Sequence, residues 1–171
     1  MNELIKDLGL LINATLIATP PLLLAALGSC FSERSGVVNI GIEGMMTIGA
    51  FTGAVMGLTT GNGWIAFLCA GLAGALFGLI HAFACISCHA DQTIAGTAIN
   101  FLGPGLALFL CKAMYSNSSD TPAMDPSCKL PKLFEGVFPT GSFWNNVLNV
   151  YAVAYLVFVL AFVCWFVFYK T

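Results

Sequence analysis

Charge is scarce in this sequence. Among 171 residues there are 6 Lys plus Arg and 8 Asp plus Glu, or 8% charged, where a soluble domain carries about a quarter. So few charges cannot cover an ordinary water-facing surface. With 58% hydrophobic residues and a mean hydropathy of +0.90, the chain has membrane lipid as its solvent. The basic residues are too few and too scattered to neutralise a run of phosphates, which excludes nucleic-acid binding. No phosphate-binding G-x-x-x-x-G-K-[ST] loop, His/Glu zinc motif or nucleophile elbow occurs. The chain is therefore not read as an enzyme, and any ATP that drives it binds another subunit. Period-two alternation is missing from the apolar runs, which argues against a β-barrel. A positive leader is missing too. Glu3, Lys6 and Asp7 are net acidic, and Pro20-Pro21 interrupts the first apolar stretch, so a signal peptide is not expected although Leu27-Gly28-Ser29-Cys30 looks like a lipoprotein cleavage box.

What is abundant is uncharged length. Charge-free stretches run from Leu8 to Ser32, Gly44 to Ala90, Gln92 to Cys111 and Gly136 to Tyr169, and a spanning helix needs about 20 apolar residues. The second stretch, at about 47 residues, would reach about 70 Å as one helix against a hydrocarbon core of about 30 Å, so it must turn back. Gly61-Asn62-Gly63 is the natural turn. The expected architecture is all-α: a polytopic helical membrane protein with about five transmembrane helices, near residues 8–31, 38–59, 64–85, 92–112 and 146–169, some broken or Gly-rich. Between the last two lies a segment, 113–145, with Pro122, Pro126, Pro131 and Pro139, Lys129, Lys132, Asp120 and Asp125, which reads as an aqueous loop. It is long enough to touch a partner, with a plain solvated connector as the alternative.

Seven cysteines raise metal and redox readings. His81-x3-Cys85-x2-Cys88-His89 is the sharpest pattern, and Cys85-Ile-Ser-Cys88-His89 fits the C-x-x-C-H haem-attachment form. Cysteine in apolar surroundings also behaves as a small packing residue. At helical spacing the four side chains do not all face one centre, so no metal site is expected. Cys30, Cys69, Cys111, Cys128 and Cys164 are scattered and imply no disulfide framework.

Polar residues inside apolar runs carry the functional signal. Asn39 and Glu43 are four apart and are expected to share a helical face, with Arg34 the nearest partner for Glu43 or Glu33. Gln92, Gly96 and Asn100 repeat the spacing beside Thr93 and Thr97, and Pro104 between Gly103 and Gly105 suggests a break. Such a stripe can line a path for a hydroxyl- or amide-bearing solute, or it can hydrogen-bond between helices. Gly49, Gly53 and Gly57, and Ala70, Gly74 and Gly78, form small-residue faces for helix packing.

The run Thr19-Pro20-Pro21-Leu22-Leu23-Leu24-Ala25-Ala26-Leu27, the run Phe31-Ser32-Glu33-Arg34-Ser35-Gly36-Val37-Val38-Asn39-Ile40-Gly41-Ile42-Glu43-Gly44-Met45-Met46, and Ala90-Asp91-Gln92-Thr93-Ile94-Ala95-Gly96-Thr97-Ala98-Ile99-Asn100 together resemble the permease subunits of bacterial ABC importers. The likeness is to the nucleoside and simple-sugar type, within the branched-chain amino acid and ribose permease group. It implies a multi-pass subunit of the cytoplasmic membrane that binds no cofactor itself. Its implied partners are a second permease subunit, two ABC ATPase subunits and an extracytoplasmic substrate-binding lipoprotein. Asn39, Glu43, Gln92 and Asn100 would then sit near the translocation path. The resemblance places the N-terminus and the 113–145 loop outside and the Glu33-Arg34 turn, Asp91 and the C-terminus inside, whereas Lys6, Lys112, Lys129 and Lys132 taken alone would put their side in the cytoplasm. Permeases of this type are about twice as long and carry a coupling helix after the span near 146–169, so an N-terminal half or one part of a split permease is expected. A small membrane haem or redox protein and a passive solute channel are the alternatives.

Overall fold

The computed structural model describes residues 2–125, 129–134 and 143–170. Pro126, Cys128 and Pro139 of the expected loop lie outside the described residues, as does Thr171. Among the described residues six helices follow one another: α1 Asn2–Arg34, α2 Ile42–Thr60, α3 Gly63–Ala82 with a π-helical turn Phe83–Ser87 at its end, α4 Gln92–Met114, α5 Phe143–Leu148 and α6 Ala152–Lys170. No strand forms among the described residues, only an isolated antiparallel bridge between Lys132 and Tyr151. Among the described residues five segments are long and apolar enough to cross a membrane: Asp7–Arg34, Ile42–Thr60, Gly63–Ser87, Gln92–Met114 and Ala152–Lys170. Large apolar side chains such as Leu72, Leu79, Phe101 and Phe162 lie on the surface. Such exposure marks aggregation in water and is the ordinary state in lipid. The chain is an all-α, multi-pass membrane protein.

Several boundaries differ from the sequence expectation. The second helix starts at Ile42 rather than near 38, because Asn39, Ile40 and Gly41 form a turn in which the Asn39 Oδ1 accepts the Gly41 N–H at 3.1 Å. A short side chain that bonds its own backbone two residues on competes with helix. The last span starts at Ala152 rather than near 146, since α5 ends at Leu148 and is a separate short helix. Pro104 does not break its helix: α4 is continuous from Gln92 to Met114, although proline withholds the N–H that would bond the Asn100 carbonyl. The turn at Gly61-Asn62 forms. Gly61, at φ +65, closes α2 with its N–H on the Gly57 carbonyl at 3.0 Å, and the Asn62 Oδ1 caps α3 by accepting the Trp64 N–H at 2.9 Å.

The chain divides into two compact units. In the unit of residues 28–129, α2 packs against both α3 and α4, which touch one another little. Its core is Ile48, Phe77, Ile99 and Ala107, with Met45, Phe51 and Leu106 against them. The other unit joins residues 1–27 to 130–171. Val150 and Val157 are buried in it, the Asn13 side chain donates to the Asn149 carbonyl at 3.4 Å, and the Tyr155 hydroxyl donates to the Leu148 carbonyl at 2.8 Å.

Candidate functional site

The backbone between α1 and α2 has no helix of its own to satisfy it. Gly36, at φ +87, turns the chain, residues 37–39 form no helix or strand, and α2 does not begin until Ile42. Peptide groups beside apolar helices must find partners elsewhere. Here they come from three helices. From α1, the Ser32 hydroxyl donates to the Val37 carbonyl at 2.6 Å. From α3, the Nε2 of His81 lies 3.4 Å from the Val38 carbonyl, and the ring is almost fully buried. From α4, the Gln92 Oε1 accepts the Val38 N–H at 2.8 Å, while its Nε2 donates to the Gly36 carbonyl at 3.4 Å.

Asn100 completes this clasp. Its Nδ2 donates to the Ile40 carbonyl at 2.9 Å, and its Oδ1 accepts the Gly44 N–H at 2.8 Å. The N-cap residue of α2 is Gly41, which has no side chain to cap with. The first N–H groups of a helix have no partner within it, so a side chain of α4 supplies the cap that α2 lacks. That reach requires bare backbone at the crossing. A Cβ on Gly44 would overlap the Ile99 carbonyl, and one on Gly103 would overlap the Gly44 carbonyl. On Gly96 it would come within 2.9 Å of the Ile40 Cβ. Gly96, Asn100 and Gly103 share one face of α4, so two glycines bring the backbones together and the asparagine between them bonds across. The start of α4 is fixed by Asp91, whose Oδ1 accepts the N–H of Thr93 at 2.9 Å and of Ile94 at 3.0 Å.

Three of the four polar residues read as path-lining from sequence thus meet at one place; the amides of Gln92 and Asn100 are committed to backbone, and Asn39 accepts the Gly41 N–H while its Nδ2 lies 3.5 Å from the Met45 sulfur. Asn39 lies in the turn rather than on the α2 face with Glu43, because the helix starts after it. Glu43 is exposed in the first turn of α2, where a carboxylate is favoured by the helix dipole, and the Thr47 hydroxyl donates to its carbonyl at 2.9 Å. Gly49 and Gly53 face Ala70 of α3, where an added Cβ would stand 3.1 Å from the Ala70 oxygen and Cβ respectively. Gly57 faces Ala66 and Met124, whereas Gly74 and Gly78 lie more loosely beside Met45.

The haem-like pattern folds differently from a paired attachment site. Cys85 is buried with its Sγ 3.7 Å from the His81 Nε2, whereas Cys88 and His89 are exposed, His89 at φ +52. Among the described residues no group of three or more His, Cys, Asp or Glu could hold a metal ion. Sequence reasoning missed the partners of the turn, His81 and Ser32, and the crossing pair Gly44 and Gly103. The His81 spacing pointed forward to Cys85, and nothing local in the sequence links it to a carbonyl in the turn before α2.

Over residues 11–171 the sequence matches the family described as branched-chain amino acid transport system permease component. It is 43% identical over 178 residues to the guanosine ABC transporter permease protein NupQ of Bacillus subtilis, covering 99% of this chain and 54% of that protein. It is 39% identical over 119 residues to the nucleoside ABC transporter permease protein NupC of Lactococcus lactis, covering 66% of this chain and 38% of that one. With the putative glucose ABC transporter permease protein TsgC13 of Haloferax volcanii it shares 46% identity over 99 residues, 58% of this chain and 30% of the relative. The chain spans about half the length, or less, of the curated relatives it matches. No solved structure matches it. All three names are ABC transporter permeases, which leaves the haem and passive-channel alternatives without support.

Proposed function

The chain belongs to the branched-chain amino acid transport system permease component family, and from that membership we propose that it is a translocation subunit of an ATP-driven importer of nucleosides in the cytoplasmic membrane. The observation that carries the solute is the 43% identity to a guanosine permease along 99% of the chain. ATP is hydrolysed by partner ATPase subunits, a second permease subunit completes the pathway, and an extracytoplasmic binding lipoprotein delivers the solute. This subunit itself holds no cofactor.

Within that function Gln92 and Asn100 act as positioning residues. Their amides are engaged by the 36–44 backbone, so they set where α2 begins against α4 and leave little capacity for a solute. Asn39 and Glu43 stand at the start of α2 in the same helix pair, and Glu43 is exposed and charged. A simple sugar is the second reading, favoured by the likeness to the putative glucose permease.

The test is uptake of radiolabelled guanosine by the native host with and without the gene. Uptake is expected to fall on deletion, to return with the gene and to be suppressed by unlabelled nucleosides but not by glucose. Unchanged guanosine uptake with lost glucose uptake would move the solute to simple sugars.

A further inference from the structure

An open groove with room for about 370 Å³ runs between α2 and α4, on the side of α2 turned away from the Gly49 and Gly53 contact with α3. Small side chains, Ala54 and Ala107 among them, leave the room. One wall carries the half-buried ring of Phe51, and Thr47 of the same helix adds a hydroxyl. After α4 ends the chain folds back so that residues 119–121 close one end, and Asp120 is the charged group among the lining residues. The Ser118 hydroxyl shapes that loop, accepting the Asp120 N–H at 3.2 Å and donating to the Asp120 carbonyl at 2.9 Å. The volume lies within the range of small-molecule sites, about 300–1,000 Å³, in which mostly apolar walls meet a few polar groups.

We propose that this groove is a subsite for an uncharged nucleoside, with the base against the Phe51 ring and hydrogen-bond donors of the nucleoside on the Asp120 carboxylate. The assignment rests on the permease reading above and deepens it. A ring face accepts any base by stacking. An ionised carboxylate only accepts, so it selects ribose hydroxyls or base N–H groups. Its charge repels a phosphate, so nucleotides are disfavoured against nucleosides.

The experiment measures KM and the maximal rate of gene-dependent nucleoside uptake in the native host carrying Asp120→Asn or Phe51→Leu, with membrane levels of each variant checked. Each is expected to lower the ratio of maximal rate to KM roughly tenfold, the size of one lost charge-assisted hydrogen bond or one lost stacking face, and Phe51→Tyr to retain the parental ratio. Asp120 lies on an exposed loop, so its variant keeps the test decisive if Phe51→Leu accumulates poorly. A 2′,3′-dideoxynucleoside separates the donors: if Asp120→Asn no longer matters for it, the 2′ and 3′ hydroxyls are bound, and if the effect persists, the 5′ hydroxyl or the base edge is. Gene-dependent uptake with unchanged KM and unchanged maximal rate in Asp120→Asn overturns the subsite and leaves the permease reading standing. Uptake that survives deletion of the gene removes the permease reading and the subsite with it.

Discussion

Helix α2 meets α3 through small side chains and α4 through bare backbone. Against α3, Gly49 and Gly53 face Ala70, and a methyl group there would be crowded by a few tenths of an ångström. Against α4, Gly44 and Gly103 lie so close that a methyl group on either would occupy the other helix's peptide. The α3 contact is one of close packing, while the α4 contact carries hydrogen bonds through Asn100, Gln92 and the turn they hold. Membrane helices gain little from burying apolar surface against each other, since lipid is equally apolar. Close approach and interhelical hydrogen bonds remain as the forces, and the α2–α4 crossing uses both.

The comparison is sharpest at the crossing glycines. Gly44→Ala or Gly103→Ala is expected to destabilise by about 3 kcal/mol, the upper end for overpacking, because backbone rather than a movable side chain is in the way. Thermal unfolding in detergent should show the loss despite the gain of up to about 1 kcal/mol that alanine brings to a helix interior. A next, smaller effect separates the two amides. Asn100→Ala leaves the Gly44 N–H and the Ile40 carbonyl without their bonds and should cost about 1–3 kcal/mol, against about 0.5–1.5 for Gln92→Ala, whose second bond is long. Equal losses in the same melting measurement would show that the cap on α2 adds nothing. The smallest effect belongs to the α3 side. Gly53→Ala should change stability by less than about 1 kcal/mol, as helix propensity offsets crowding against the Ala70 methyl. A loss as large as that of Gly44→Ala would erase the distinction between the two contacts.

The spans, the Gly61-Asn62 turn and the polar character of residues 39–43 and 92–100 were legible because each is written locally, in charge spacing, turn residues and a four-residue repeat. The repeat of Gly49, Gly53 and Gly57 was equally visible and marked the α3 side. The tighter crossing was not, since Gly44 on α2 and Gly103 on α4 form no repeat along either helix. Asn100 was recognised as a polar residue on a helix face, but not as a cap for a helix 56 residues earlier. His81 was read against the nearby Cys85, while its carbonyl partner in the turn before α2 lies 43 residues away.

The sequence by itself therefore determined that this chain lives in lipid as a set of apolar helices, because its scarcity of charge leaves no other solvent. Its resemblance also pointed to the permease family. Only the tertiary structure decided what the polar residues inside those helices bond to. Hydrogen-bonding capacity is a property of each side chain, but its use depends on which unpaired peptide groups the fold brings within about 3 Å of it. Here that is the unwound start of α2.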